Sequence, residues 1–137
     1  MRVVLDTHII LSALLFTHGN LAWLRDAWQS RSIRPVMSHA TREDLFCALE
    51  YPAFNLSVPE QDRLLEEFFP YCEDAVLSSW MPSHGTFCQI FLAVAHKARV
   101  DALVSVEKEI VALRGSFIPP VLTVAELRKR LQEQRSA

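Results

Sequence analysis

An α/β fold with a mainly parallel sheet is predicted by two features of the chain. Short apolar runs of strand length alternate with longer stretches of helical periodicity, and one of those runs stops abruptly at a carboxylate, MRVVLD. Alternation of this kind favours parallel strands joined by helical crossovers. A single domain over 1–137 follows from the length, with no repeat, low-complexity tract or Gly/Ser linker to divide it.

Taken in order, Arg2 to Leu5 reads as a buried strand, Ile33 to Met37 as a second in which Pro35 is tolerated near an edge or start, and Ala102 to Ser105 as a third. Helical patterns cover roughly 7–15, 20–30, 39–50, 59–70, 86–98 and 124–134. Two starts carry capping boxes, Ser57 with Glu60 and Thr123 with Glu126, where hydroxyl and carboxylate satisfy orphan backbone donors reciprocally. Thr86 with Gln89 has the same spacing. From Thr86 onward, Phe87, Ile90, Phe91, Val94 and Ala98 form one apolar face, read as core.

Composition excludes several classes. Half of the residues are hydrophobic, yet no apolar run approaches the length of about 20 needed to span a bilayer. Asp6 interrupts the only leader-like stretch, so a soluble, cytoplasmic protein is expected. Cys47, Cys72 and Cys88 lack zinc or redox spacing and are read as buried free thiols. The formal net charge of −2 provides no global attraction for nucleic acid. Three glycines exclude a P-loop or dinucleotide fingerprint, and no serine lies in a G-x-S-x-G elbow.

Chemistry is expected at the carboxyl ends of the strands, where loops of an open parallel sheet are free of packing duty. Asp6 ends the first strand; Glu107, with Glu109 beside it, follows the third. On the helix after the second strand, Asp44 shares the flank of Leu45 and Ala48, whereas Glu43 turns toward solvent. Converging carboxylates suit Mg²⁺ or Mn²⁺, hard ions that take oxygen ligands and accept substrate phosphate. Each acid also has a plain reading: Asp6 as a helix cap, Glu107 as a first-turn acid, Asp44 as a helix-surface acid.

The stretches MRVVLDTHIILSALL, VMSHATREDLFCALEYPAF, IFLAVAHKARVDALVSVEKEI and PPVLTVAELRKRL resemble, in order, those of PIN-domain proteins. That resemblance implies a three-layer α/β/α PIN-like fold and a metal-dependent endoribonuclease, with Asp6, Asp44 and Glu107 as catalytic, metal-holding acids and Glu109 as a further ligand. It further implies RNA as substrate, an antitoxin partner in a toxin–antitoxin pair, and a homodimer. Gln89 stands where a further acid is expected, either as a neutral ligand through its carbonyl oxygen or as the closing residue of the Thr86 capping box, and His8 stands where the family usually has Asn. Of the histidines, only His8 and His84 can approach the site. The alternative is a PIN-like module that binds RNA or a protein partner without cleavage. For RNA contact, Arg25, Arg31, Arg34 and Arg42 could form a basic rim and Arg128 to Arg130 a second basic run, with solvated helix faces as the default reading, while Trp23 and Trp28 could stack on bases but are by default packing or interface groups.

Overall fold

The computed structural model describes residues 1–16, 19–76 and 87–136. Among these, five strands form one parallel sheet: β1 (Arg2–Leu5), β2 (Arg34–Met37), β3 (Glu73–Asp74), β4 (Ala102–Val104) and β5 (Val121–Leu122), in the order β3-β2-β1-β4-β5. Seven α-helices surround it: α1 (Thr7–Leu15), α2 (Ala22–Gln29), α3 (His39–Leu49), α4 (Val58–Glu66), α5 (Phe87–Lys97), α6 (Lys108–Val111) and α7 (Val124–Ser136).

Alternation along each strand creates two cores. Val3 and Leu5, Met37, Ala102 and Val104, and Leu122 join one cluster with Ile10, Leu14, Trp28, Leu45 and Leu127. Their neighbours Val4, Val36, Leu103 and Val121 join the other with Phe91, Val94 and Ile110. A strand's side-chain period of two, set between helices on both faces, therefore makes the three layers. As the helical spacing predicts, Phe91 and Val94 are fully buried and Ile90 and Ala98 pack beside them.

The three expected strands are present, and β3 and β5 are additional. At two residues each they are too short to carry any periodicity, and they are strands only through pairing with β2 and β4. The helix expected over 59–70 ends at Glu66, because Pro70 allows only a 3₁₀ turn over Phe69–Tyr71. Capping boxes form at Ser57/Glu60 and Thr123/Glu126 as expected. Thr86, and with it the third box, lies outside the described residues. Cys47 is exposed, contrary to the buried reading, because it sits on the outer flank of α3 between Phe46 and Ala48. Burial pushes the Cys72 thiol up to about 12, which keeps it unreactive.

The opposite, amino-terminal edge of the sheet is tied by Arg2. Its guanidinium donates to both carboxylate oxygens of Glu73, at 3.1 and 2.5 Å, and to the carbonyl of Ala98. The hydrogen bonds from Arg2 hold the Glu73 carboxyl below its ordinary range. A carboxyl lowered in this way adds stability above its unfolded value of about 4.3, which disappears as pH falls through the folded value. Arg2→Met is accordingly expected to lose up to about 1 kcal/mol at pH 7 and progressively less below pH ~4, read from urea unfolding at several pH values.

Candidate functional site

Asp6 follows the last residue of β1, the central strand, at the point where strand order reverses and crevices form in open sheets. Its side chain is fully buried. As the N-cap of α1 it accepts from the Ile9 N–H through Oδ1 at 2.9 Å. Its Oδ2 accepts from the Ser105 hydroxyl at 2.6 Å and from the Val106 N–H at 3.0 Å, both at the end of β4. The cap reading of Asp6 and the strand-end reading thus describe one residue: the carboxylate starts α1 and fastens β1 to the loop after β4.

Ser105 extends the junction, because its Oγ accepts the Glu107 N–H at 3.0 Å while donating to Asp6. Glu107 is the N-cap residue of α6, and its Oε1 lies 3.2 Å from Nε2 of His8, whose side chain is 66% exposed. From the other side, the Thr7 hydroxyl donates to Oδ2 of Asp44 at 2.5 Å. On the carboxyl side of the sheet, Ser105 thus links the Asp6 carboxylate to the Glu107 N–H, and Asp44 is held by Thr7, the residue after Asp6. Glu43 is exposed and pairs with His39, as its solvent-facing assignment requires.

Glu109 is exposed in the first turn of α6. Gln89 is exposed on α5. His84 lies outside the described residues. Three of the four arginines considered for a rim are ion-paired: Arg25 with Glu67 at 2.6 Å, Arg42 with Asp74 at 2.5 Å while stacking over Phe69, and the more exposed Arg34 with Glu73 at 3.9 Å. Arg25 and Arg42 serve packing between helices and loops. Trp28 is fully buried edge-on to Phe68 and donates Nε1–H to the Glu67 carbonyl, so it is core; Trp23 lies under the Arg128 guanidinium.

Thr7 and Ser105 were not anticipated as parts of the site. The available signal was a carboxylate at the end of a buried strand, which requires donors, with a hydroxyl next in sequence and another at the end of the third predicted strand.

Carboxylate oxygens are the ligands Mg²⁺ and Mn²⁺ take. Among the described residues, however, no group of three or more His, Cys, Asp or Glu is placed to hold a metal ion. Asp6 already accepts three hydrogen bonds, out of about four lone-pair sites on a carboxylate. The edge therefore fits a cation held by one or two carboxylates together with water and a substrate phosphate, a common arrangement for Mg²⁺, and not a preassembled cage.

A family model for the PIN domain matches residues 2–109. The chain belongs to the PIN-domain family, whose members are commonly nucleases and generally use divalent metals. Among solved structures, it is similar to the crystal structure of PAE2754 from Pyrobaculum aerophilum, with 16% identity and a TM-score of 0.65 over 98% of this chain and 100% of that one. At that identity the likeness speaks for the fold alone. No curated protein matches the chain significantly. No helix among the described residues is long and apolar enough to cross a membrane.

Proposed function

We propose that the chain is a Mg²⁺- or Mn²⁺-dependent endoribonuclease whose chemistry runs at the carboxyl edge of β1 and β4. The observation that carries this reading is the buried Asp6 carboxylate, aimed across the strand gap by Ser105 and the Val106 N–H, with Glu107 two residues beyond Ser105. When bound, the ion polarises the phosphodiester and yields a more acidic water. Of Asp6, Asp44 and Glu107, one or two would hold it directly and the rest through its bound waters. Thr7 and Ser105 fix the rotamers of Asp44 and Asp6, so those carboxylates need not reorganise when RNA arrives. His8, exposed and 3.2 Å from Glu107, would contact a phosphate oxygen of the bound RNA. RNA as substrate, a toxin role with an antitoxin partner, homodimerisation and a cytoplasmic setting are parts of this proposal supported by the family resemblance.

The test is incubation of purified protein with a structured RNA pool and Mn²⁺, beside EDTA and Asp44→Asn. Cleavage lost in both controls is expected; cleavage retained in EDTA would refute the mechanism.

Two observations favour a second reading, a PIN module that holds RNA or a protein without cutting it: no cluster of acids among the described residues forms a cation cage, and position 89 is a neutral amide. Gln89→Asp separates the two. A nuclease lacking one unit of site charge should gain affinity for Mn²⁺ in the presence of RNA, on the order of tenfold, measured by titration of the cleavage rate. A module without catalytic geometry stays silent whether or not the charge is restored.

A further inference from the structure

Two histidines face carboxylates on the carboxyl side of the sheet, and local spacing explains one pair and not the other. His39 and Glu43 are a turn apart on α3, Nε2 2.9 Å from Oε1, and both side chains are well exposed. Neighbours at that spacing on a helix surface pair as a matter of course. His8 and Glu107 come instead from separate elements, the first turn of α1 and the N-cap position of α6. One carboxylate ties those elements together: Asp6 caps α1 through Oδ1, and its Oδ2 holds the Ser105 hydroxyl that accepts the Glu107 N–H. On that frame Nε2 of His8 lies 3.2 Å from Oε1 of Glu107.

That separation suits a shared metal ion as well as a shared hydrogen. Two donors about 2.1 Å from one octahedral ion, at right angles to each other, lie about 3.0 Å apart. Imidazole is the commonest side-chain metal ligand, and the Nε2 of His8 already points at one of the acids assigned to the ion. Nitrogen also discriminates between ions where oxygen does not. Carboxylates serve Mg²⁺ and Mn²⁺ alike, whereas Mg²⁺ takes oxygen ligands and imidazole favours first-row transition dications over it. Two protein ligands also agree with the donors present, because no group of three or more His, Cys, Asp or Glu among the described residues is placed to hold an ion.

We propose that His8 is a nitrogen ligand at this edge, joining Glu107 on one ion, and that it makes the protein select a transition dication, Mn²⁺, over Mg²⁺. The inference rests on the divalent-ion reading given above and adds the ion's identity to it. Water and the RNA phosphate complete the shell, and the ring's Nδ1 is left for a phosphate oxygen. His39 and Glu43, equally close to each other but on one helix face away from the Asp6 junction, take no part.

The test is Mn²⁺ binding to the full chain, with a short oligodeoxythymidylate as a source of phosphate and the oligomer alone as blank. Free Mn²⁺ is read by electron paramagnetic resonance, Mg²⁺ is added as competitor, and nitrogen coupling to the bound ion is read by electron spin-echo envelope modulation. The parent is expected to show imidazole nitrogen coupling and to need roughly tenfold more Mg²⁺ than Mn²⁺ for half displacement. His8→Asn, at an exposed side chain, should unfold as the parent does, lose the nitrogen coupling, and bind Mn²⁺ roughly tenfold more weakly with Mg²⁺ binding unchanged. His39→Asn should change none of these. The role of His8 is overturned if bound Mn²⁺ shows no nitrogen coupling, if the coupling survives His8→Asn or vanishes in His39→Asn, or if His8→Asn binds Mn²⁺ as tightly as the parent. In each of those cases the divalent-ion reading still stands when Asp44→Asn weakens Mn²⁺ binding. A parent that binds neither ion overturns both.

Discussion

Asp6→Ala is expected to destabilise the protein by about 2–4 kcal/mol, measured by urea unfolding at neutral pH. Three donors lose their acceptor at once: the Ile9 N–H at the start of α1, the Ser105 hydroxyl and the Val106 N–H. Loss of an N-cap costs about 1 kcal/mol and each buried donor left unpaired about 1–3 kcal/mol, with partial relief where water reaches Val106. Against a total stability of roughly 5–15 kcal/mol, that is a large fraction. Asn at this position is no neutral control. Its amide has one oxygen, which can serve either the cap or the Val106 N–H, and its NH₂ then faces a donor. The Ser105 hydroxyl can rotate to accept; a backbone N–H cannot. Asp6→Asn should therefore unfold about 1–2 kcal/mol earlier than the parent. A measured loss of activity in either Asp6 variant reports on folding as well as on chemistry, and thermal or urea unfolding must accompany it. An Asp6→Ala protein as stable as the parent would show that the junction between β1 and β4 does not depend on this carboxylate.

Much of this arrangement is legible in the sequence because its signals are local. The run MRVVLD places an acid at the end of a buried strand, and the apolar spacing in α3 separates Asp44 from Glu43. Residues whose role depends on long-range contact are not legible in the same way. Ser105 and Asp6 are 99 positions apart, and nothing in either neighbourhood specifies their hydrogen bond. Arg25 and Arg42 read as free basic groups until Glu67 and Asp74 arrive from distant segments. Two-residue strands such as β3 and β5 exist by pairing alone. A cleft at the amino-terminal edge of the sheet likewise joins 96–101 to 118–120, segments without a shared pattern in sequence.

Glu107→Gln is expected to lower RNA cleavage by roughly 100-fold or more while leaving unfolding within about 0.5 kcal/mol of the parent. Its position makes it the cleaner test of the proposed chemistry. Whereas Asp6 is sealed in the junction, the Glu107 side chain is 31% exposed and its ion-pair partner, His8, faces solvent. An exposed pair of this kind contributes little to stability, and Gln preserves the shape and one acceptor. The Ser105 hydroxyl meets Glu107 through the backbone N–H, which the substitution retains. What changes is one unit of charge on a residue whose backbone is tied through Ser105 to the Asp6 carboxylate. If the edge handles a divalent ion together with an RNA phosphate, that charge acts on the transition state and its loss appears mainly in kcat. Full cleavage by Glu107→Gln, with a normal unfolding curve, would remove Glu107 from the mechanism and leave Asp6 as a structural cap. A 100-fold loss with unchanged stability would assign the carboxylates at this edge to catalysis, because in Glu107→Gln, unlike in the Asp6 variants, folding and chemistry are separable.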